Sequence, residues 1–392
     1  MENKLRYSFE TYAVSGARKG DKLTGAISYP LYLSATFKHN GLNESTGYDY
    51  SRLQNPTREE TEKTVALLEN GKEALAFSCG MAALTACVHL FKSGDHVILS
   101  EDLYGGIFRL FNEVYSVYNI EASFIDTSDI NKVKDAIRDN TKGIIIETPS
   151  NPLMRVTDIK AITDICKEKN IISIVDNTFL TPYYQRPLEL GADIVVHSGT
   201  KYLGGHNDLL AGFAISNNEE IIEKLRFMQK STGAILSPFD SWLLLRGLKT
   251  LHIRMDRIQE NAIKIAKWLE SNKNVEKVYY VGLNNHKGYE INKEQSSGFG
   301  GMISFRVKDK KYVESLLSNL KVISFAESLG GVESLITYPF TQTHSEIPEE
   351  IKKRLGIDEY LIRLSIGIEN IDDLINDLKS VLEVKVKGGK NG

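Results

Sequence analysis

The chain has 392 residues, 42% apolar and 25% charged, the composition of a soluble globular protein long enough for two or three domains. Its 48 basic and 51 acidic residues leave a formal charge of −3, which removes the electrostatic case for nucleic acid or an anionic membrane surface as partner. The three cysteines are an odd count without C-x2-C spacing, which argues against a disulfide framework and a structural zinc site and fits a reducing compartment.

In chain order, MENKLRYSFETYAV contains no apolar core of a secretory signal, and the longest apolar runs (GIIIE, IISIV, DIVV) fall far short of a membrane span. A cytoplasmic protein is expected. Residues 1–57 mix turn signals with short apolar pieces and read as an extended arm. From 58 to 250 the spacing predicts an α/β domain. The helix-like EETEKTVALLENG is followed by the strand-like runs HVILS, ASFID, GIIIETP, IISIVDNT and DIVVHSGT. Amphipathic DINKVKDAIRDN and DIKAITDICKEKN lie between them, so a largely parallel sheet covered by helices is expected. SPFDSWLLLRGLKTLHIRMDRIQENAIKIAKWLESN reads as one long helical passage bridging to a second region. Residues 251–385 (VEKVYYV, GGMISFRV, YVESLLSNL, LIRLSIGI, IDDLINDLKSVL) predict a smaller α+β domain, and 386–392 form a polar tail.

Ligands of open α/β sheets sit beyond the carboxyl ends of the strands. Two runs end there in reactive groups: IISIV leads into Asp176, and DIVV leads through Ser198 and Thr200 to Lys201. A lysine at such an edge reads either as an ordinary surface lysine or as a Schiff-base nucleophile whose desolvation lowers its proton affinity. Asp176 reads either as a turn cap or as the carboxylate that pyridoxal phosphate (PLP) needs against its ring nitrogen. In AFSCGMAALTACVHL, Ser78 is the candidate N-cap of an Ala-rich helix whose start, at Gly80, suits a phosphate. No G-x-x-x-x-G-K-[ST] occurs, and SGFGGM precedes a strand instead of opening a helix, so nucleotide-binding fingerprints are absent.

Several segments in order carry a resemblance that spans essentially the whole chain: YDYSRLQNPTR (Tyr48 to Arg58), SCGMAA (Ser78 to Ala83), EDLYGG (Glu101 to Gly106), ETPSNP, VDNTF, DIVVHSGTKYLGGH, FAESLGGVESLITYP and RLSIGIE. The sequence resembles the Cys/Met-metabolism family of PLP enzymes, which includes cystathionine γ-synthases, cystathionine lyases, O-acylhomoserine sulfhydrylases and methionine γ-lyase. The family's usual Ala before the Thr-Lys pair is Gly199 here.

The resemblance implies PLP fold type I, aspartate aminotransferase-like: a large, mostly parallel sheet domain with a smaller C-terminal α+β domain. It makes Lys201 the Schiff-base residue and proton shuttle, Asp176 the partner of the pyridine nitrogen and Tyr104 the residue stacked on the ring. Gly80, Met81, Ser198 and Thr200 would bind the phosphate. Tyr50 and Arg52 would reach that phosphate from a neighbouring subunit, making a homodimer the minimum unit and a tetramer the expected assembly. Arg363 would clamp the α-carboxylate of an amino-acid substrate, with Asn151 and Ser328 nearby.

Within the family, the cysteine that marks methionine γ-lyase near Tyr104 is absent, since Gly105-Gly106 follow. Glu327 matches γ-synthases and γ-lyases, where a carboxylate can hold a cysteine-like ammonium; the alternative is a solvated surface glutamate. ESTGYDYSR and ITYPFTQTHSEIPEE look most like bacterial γ-synthases that also act as O-acetylhomoserine sulfhydrylases. The expected reaction is γ-replacement on an O-acyl-homoserine by cysteine or sulfide. The alternatives are a cystathionine β- or γ-lyase and, from a different class, a non-catalytic protein on the same fold, against which the joint presence of Lys201 and Asp176 speaks.

Overall fold

A computed structural model describes residues 7–17, 20–345 and 347–383. Seven strands, β1 (Glu73–Phe77), β2 (His96–Ser100), β3 (Glu121–Ile125), β4 (Thr141–Glu147), β5 (Ile172–Asp176), β6 (Ile194–Ser198) and β7 (Gly212–Ser216), form a sheet ordered β1-β7-β6-β5-β4-β2-β3. β6, β5, β4, β2 and β3 run parallel, and β7 lies antiparallel between β1 and β6. The inner strands are largely apolar, as suits a sheet with helices on both faces; β2 and β7 are buried at every residue, whereas the edge strand β3 has no fully buried residue. A second sheet, ordered β10-β11-β12-β9-β8, is built from β8 (Val275–Tyr279), β9 (Met302–Val307), β10 (Ser324–Phe325), β11 (Leu335–Thr337) and β12 (Leu361–Ser365). Helices Lys310–Asn319 and Ile371–Leu382 bury Leu316, Leu374 and Leu378 with Ile303, Phe305 and Leu364 of this sheet. The architecture is the mixed α/β one expected. The expected tail at 386–392 lies outside the described residues.

Three local expectations are corrected. The long helical passage is two helices, Pro238–Leu248 and Leu251–Ser271. Their junction is set by the Gly247 carbonyl, which accepts from the Thr250 amide at 3.2 Å and from Arg254 Nη2 at 2.8 Å. Gly247 also lies against the Lys201-Tyr202-Leu203-Gly204 turn: a Cβ there would be 2.3 Å from the Gly204 carbonyl oxygen. The second helix bridges the cores, with Leu251, Met255 and Ile258 in the large one and Ala262, Ile265 and Leu269 in the small one.

The arm is not extended throughout, since Phe9–Ser15 is helical and buries Phe9 and Ala13, with the Phe9 ring 5.2 Å from that of Tyr183. The following helix, Pro56–Leu68, starts ahead of the EETEKTVALLENG run. Asn55 caps it by accepting the amides of Thr57 and Arg58, and Pro56 takes the first turn. Finally, the Ala-rich helix is Gly80–Val88, with Cys79 rather than Ser78 at its N-cap and no side-chain cap bond. Its first amides are left for another acceptor.

Candidate active site

The carboxyl ends of β4, β5 and β6 deliver Glu147, Asp176 and Ser198 to one edge of the large sheet. There a cleft of about 450 Å³ opens toward the small domain. It is lined by Gly80, Met81, Tyr104, Asn151, Asp176, Ser198, Thr200, Lys201, Glu327, Ser328 and Arg363, so eleven of the thirteen expected site residues meet in one place.

Lys201 Nζ donates to Ser328 Oγ at 2.7 Å. Burial and the neighbouring Arg363 cation lower its pKa to about 8, while Glu327 opposes the shift, so its amine is far easier to deprotonate than a surface lysine. Arg363, on β12, is 1% exposed. Its Nη1 donates to Asn151 Oδ1 at 2.8 Å, and Nη2 donates to the Ser328 carbonyl at 3.0 Å and Thr337 Oγ1 at 3.2 Å. Its Nε has no partner, and burial lowers its pKa to about 10. A buried guanidinium resting only on neutral acceptors is a receptor for an anion.

Asp176 Oδ1 accepts the Thr178 amide at 2.9 Å, and burial raises its pKa with no cation bonded to it. Gly80 starts its helix against β6: a Cβ there would stand 2.9 Å from Ser198 Cβ, so the free amides and the serine hydroxyl share one small space. Thr200 lines the cleft, yet its hydroxyl bonds the Ala211 amide and carbonyl at 3.1 and 3.3 Å. Tyr104 is 42% exposed, over Gly106, on whose missing Cβ its Cε1 lies 2.6 Å away. Glu327 is exposed on the rim, the geometry of a solvated carboxylate that looks into the cleft.

Tyr50 and Arg52 are not brought to this cleft. Both are exposed, the Arg52 guanidinium stacks 5.6 Å from the Tyr50 ring, and its Nη1 donates to the Lys230 carbonyl at 2.7 Å.

The sequence reading gave no role to Glu147, Thr178, Thr337 or Thr343. Glu147 carried a signal, since it ends an apolar strand run as Asp176 does. Thr343 carried none: its carbonyl oxygen comes within 2.4 Å of where a Gly105 Cβ would be only because the small domain folds back over the cleft. Among the described residues, no helix is long and apolar enough to cross a membrane, and no group of three or more His, Cys, Asp or Glu side chains could hold a metal ion.

The family model for Cys/Met metabolism PLP-dependent enzymes matches residues 10–383. The chain belongs to that family. It is 50% identical to a cystathionine γ-lyase of Bacillus subtilis over 374 residues, 95% of this chain and 99% of the relative. It is 49% identical to a cystathionine γ-synthase/O-acetylhomoserine (thiol)-lyase of the same organism over 380 residues, 97% of each chain. Among solved structures, the cystathionine γ-lyase from Lactobacillus plantarum complexed with L-serine superposes with a TM-score of 0.93 at 42% identity, covering 96% of this chain and 100% of that one.

This Cys/Met-metabolism enzyme therefore uses PLP, and the cleft fits the cofactor. A buried carboxyl without a cation awaits a protonated ring nitrogen, a lysine of lowered pKa awaits an aldehyde, and an uncapped helix start beside Ser198 awaits a phosphate.

Proposed function

We propose that this enzyme carries out γ-replacement on an O-acyl-homoserine, with cysteine or sulfide as the incoming thiol, giving cystathionine or homocysteine. The observation that carries the reading is the juxtaposition of Arg363, Lys201 and Glu327 around one cleft. Arg363 holds the α-carboxylate by its fork. Lys201, freed of its proton, removes the Cα proton and returns it to a neighbouring carbon. Asp176 keeps a proton on the ring nitrogen, so that bound PLP acts as an electron sink for the substrate carbanion. Gly80, Met81, Ser198 and Thr200 hold the phosphate, and Tyr104 covers the ring. Glu327 at the rim attracts the ammonium of an incoming cysteine.

The working unit in this reading is at least a homodimer, with a tetramer as the full assembly. Tyr50 and Arg52 reach the phosphate of the neighbouring subunit. Their distance from the cleft of their own chain supports this, as does an arm exposing Leu23 (87%), Ile27 (88%) and Leu42 (94%).

A lyase acting on cystathionine or cysteine is the second reading, favoured by the names of the γ-lyases of B. subtilis and L. plantarum. It needs the same residues. Cofactor-loaded protein incubated with O-acetylhomoserine plus cysteine, with cystathionine and ketobutyrate quantified by mass spectrometry, separates the two. Cystathionine as main product supports replacement. Little turnover there, with keto acid and ammonia formed from cystathionine or cysteine alone, overturns it in favour of the lyase.

A further inference from the structure

Glu147 ends β4 in register with Asp176 at the end of β5, so two carboxyls stand on adjacent strand ends at the floor of the cleft. Its Oε2 accepts the backbone N–H of Tyr104 at 3.0 Å. Tyr104 opens the five-residue helix Gly105–Arg109, and the chain turns there so tightly that Gly106 sits beneath the Tyr104 ring. A side chain at 106 would collide with that ring and approach Met81 Sδ to 3.3 Å. On the other side, Gly105 is closed off by the Thr343 carbonyl. The ring direction is thus set by the backbone at Tyr104, and the bond to Glu147 fixes that backbone from the sheet.

We propose that Glu147 is a positioning residue: as a neutral carboxyl, it anchors the Tyr104 amide and so holds the Tyr104 ring over the cofactor ring. Two adjacent carboxylates shut away from water repel, and one of them stays protonated. Asp176 faces the ring nitrogen and takes the charge. Glu147 takes the proton, consistent with burial first and Asp176 second pushing it well above the ordinary carboxylate range. The inference rests on the reading of Tyr104 as the stacking residue.

Holoenzymes carrying Glu147→Gln, Glu147→Leu, Glu147→Asp and Tyr104→Ala test it. The readouts are the visible circular dichroism of the bound cofactor, kcat and KM separately, and the thermal midpoint. Gln keeps the acceptor oxygen without charge, and is expected to retain the dichroic band with kcat within about threefold of wild type. Leu removes the acceptor and Asp withdraws it by a methylene; both are expected to weaken the band and lower kcat by about 10²-fold, with KM changed far less. Tyr104→Ala should weaken the band in the same way. Should Leu fail to fold, Asp carries the comparison. A Gln variant as impaired as Asp overturns the proposal, because charge would then be what matters. Asp and Leu bands of wild-type strength overturn it while leaving the Tyr104 reading intact if Tyr104→Ala has lost the band. An unchanged band in Tyr104→Ala removes that reading and the inference together.

Discussion

Lys201 Nζ and Ser328 Oγ meet at 2.7 Å, one residue from the large domain and the other from the segment leading out of β10. Ser328 holds φ at 114°, a left-handed conformation that costs a non-glycine residue about 1–3 kcal/mol. The strained turn aims both the hydroxyl, at Lys201, and the carbonyl, at Arg363, into the site.

Because burial and the Arg363 cation lower the Lys201 pKa to about 8, its capture of PLP should depend on pH in a particular window. The neutral amine is the nucleophile, so the second-order rate should rise about tenfold per unit below that value and level off above it. Stopped-flow absorbance of cofactor-stripped protein mixed with PLP measures this. A rate still climbing tenfold per unit above pH 9 would contradict the lowered value.

Arg363→Lys keeps a charge but loses the fork. Loss of one charge-assisted bond, about 2 kcal/mol, should raise KM for the amino acid some thirtyfold. The thermal midpoint should fall, because the lysine keeps a desolvated charge yet cannot donate to Asn151 Oδ1, the Ser328 carbonyl and Thr337 Oγ1 together. Steady-state kinetics and calorimetry on one preparation check both halves.

Subunit mixing tests the shared site. Arg52→Ala and Lys201→Ala chains should each be nearly inactive alone, for different reasons. After denaturation and co-refolding, random dimers should recover about a quarter of wild-type activity, because half are mixed and each mixed dimer holds one intact site. No recovery would mean that Arg52 serves its own chain.

Gly199 stands where the family usually has alanine, and the surroundings explain why alanine does not fit here. A Cβ at 199 would lie 2.8 Å from Phe213 Cε2 and 2.9 Å from Ala211 Cβ. Gly199→Ala should therefore cost about 1–3 kcal/mol in denaturant unfolding. A Gly199→Ala/Phe213→Leu pair should recover part of that loss, giving a non-additive cycle.

Which parts of this protein were legible from its sequence follows from the range of the forces involved. Short buried strands announce themselves by composition and by the turn residues that bound them, so β2 through β6 and the groups at their ends, Asp176 and Lys201 among them, could be read locally. The family motifs extended that reading to Tyr104, Asn151, Ser328 and Arg363. Other features depended on groups far apart in the chain. The helix break at residues 249–250 depends on the Gly247 carbonyl meeting Arg254 and on the turn after Lys201. The antiparallel insertion of β7, the seating of Thr343 against Gly105 and the register that sets Glu147 beside Asp176 likewise appear only once the sheets are assembled. Periodicity and capping act over a few residues and are written into the local sequence. The charges of Glu147, Lys201 and Arg363 are set by what the packed chain excludes, water above all, and only the tertiary structure decides that.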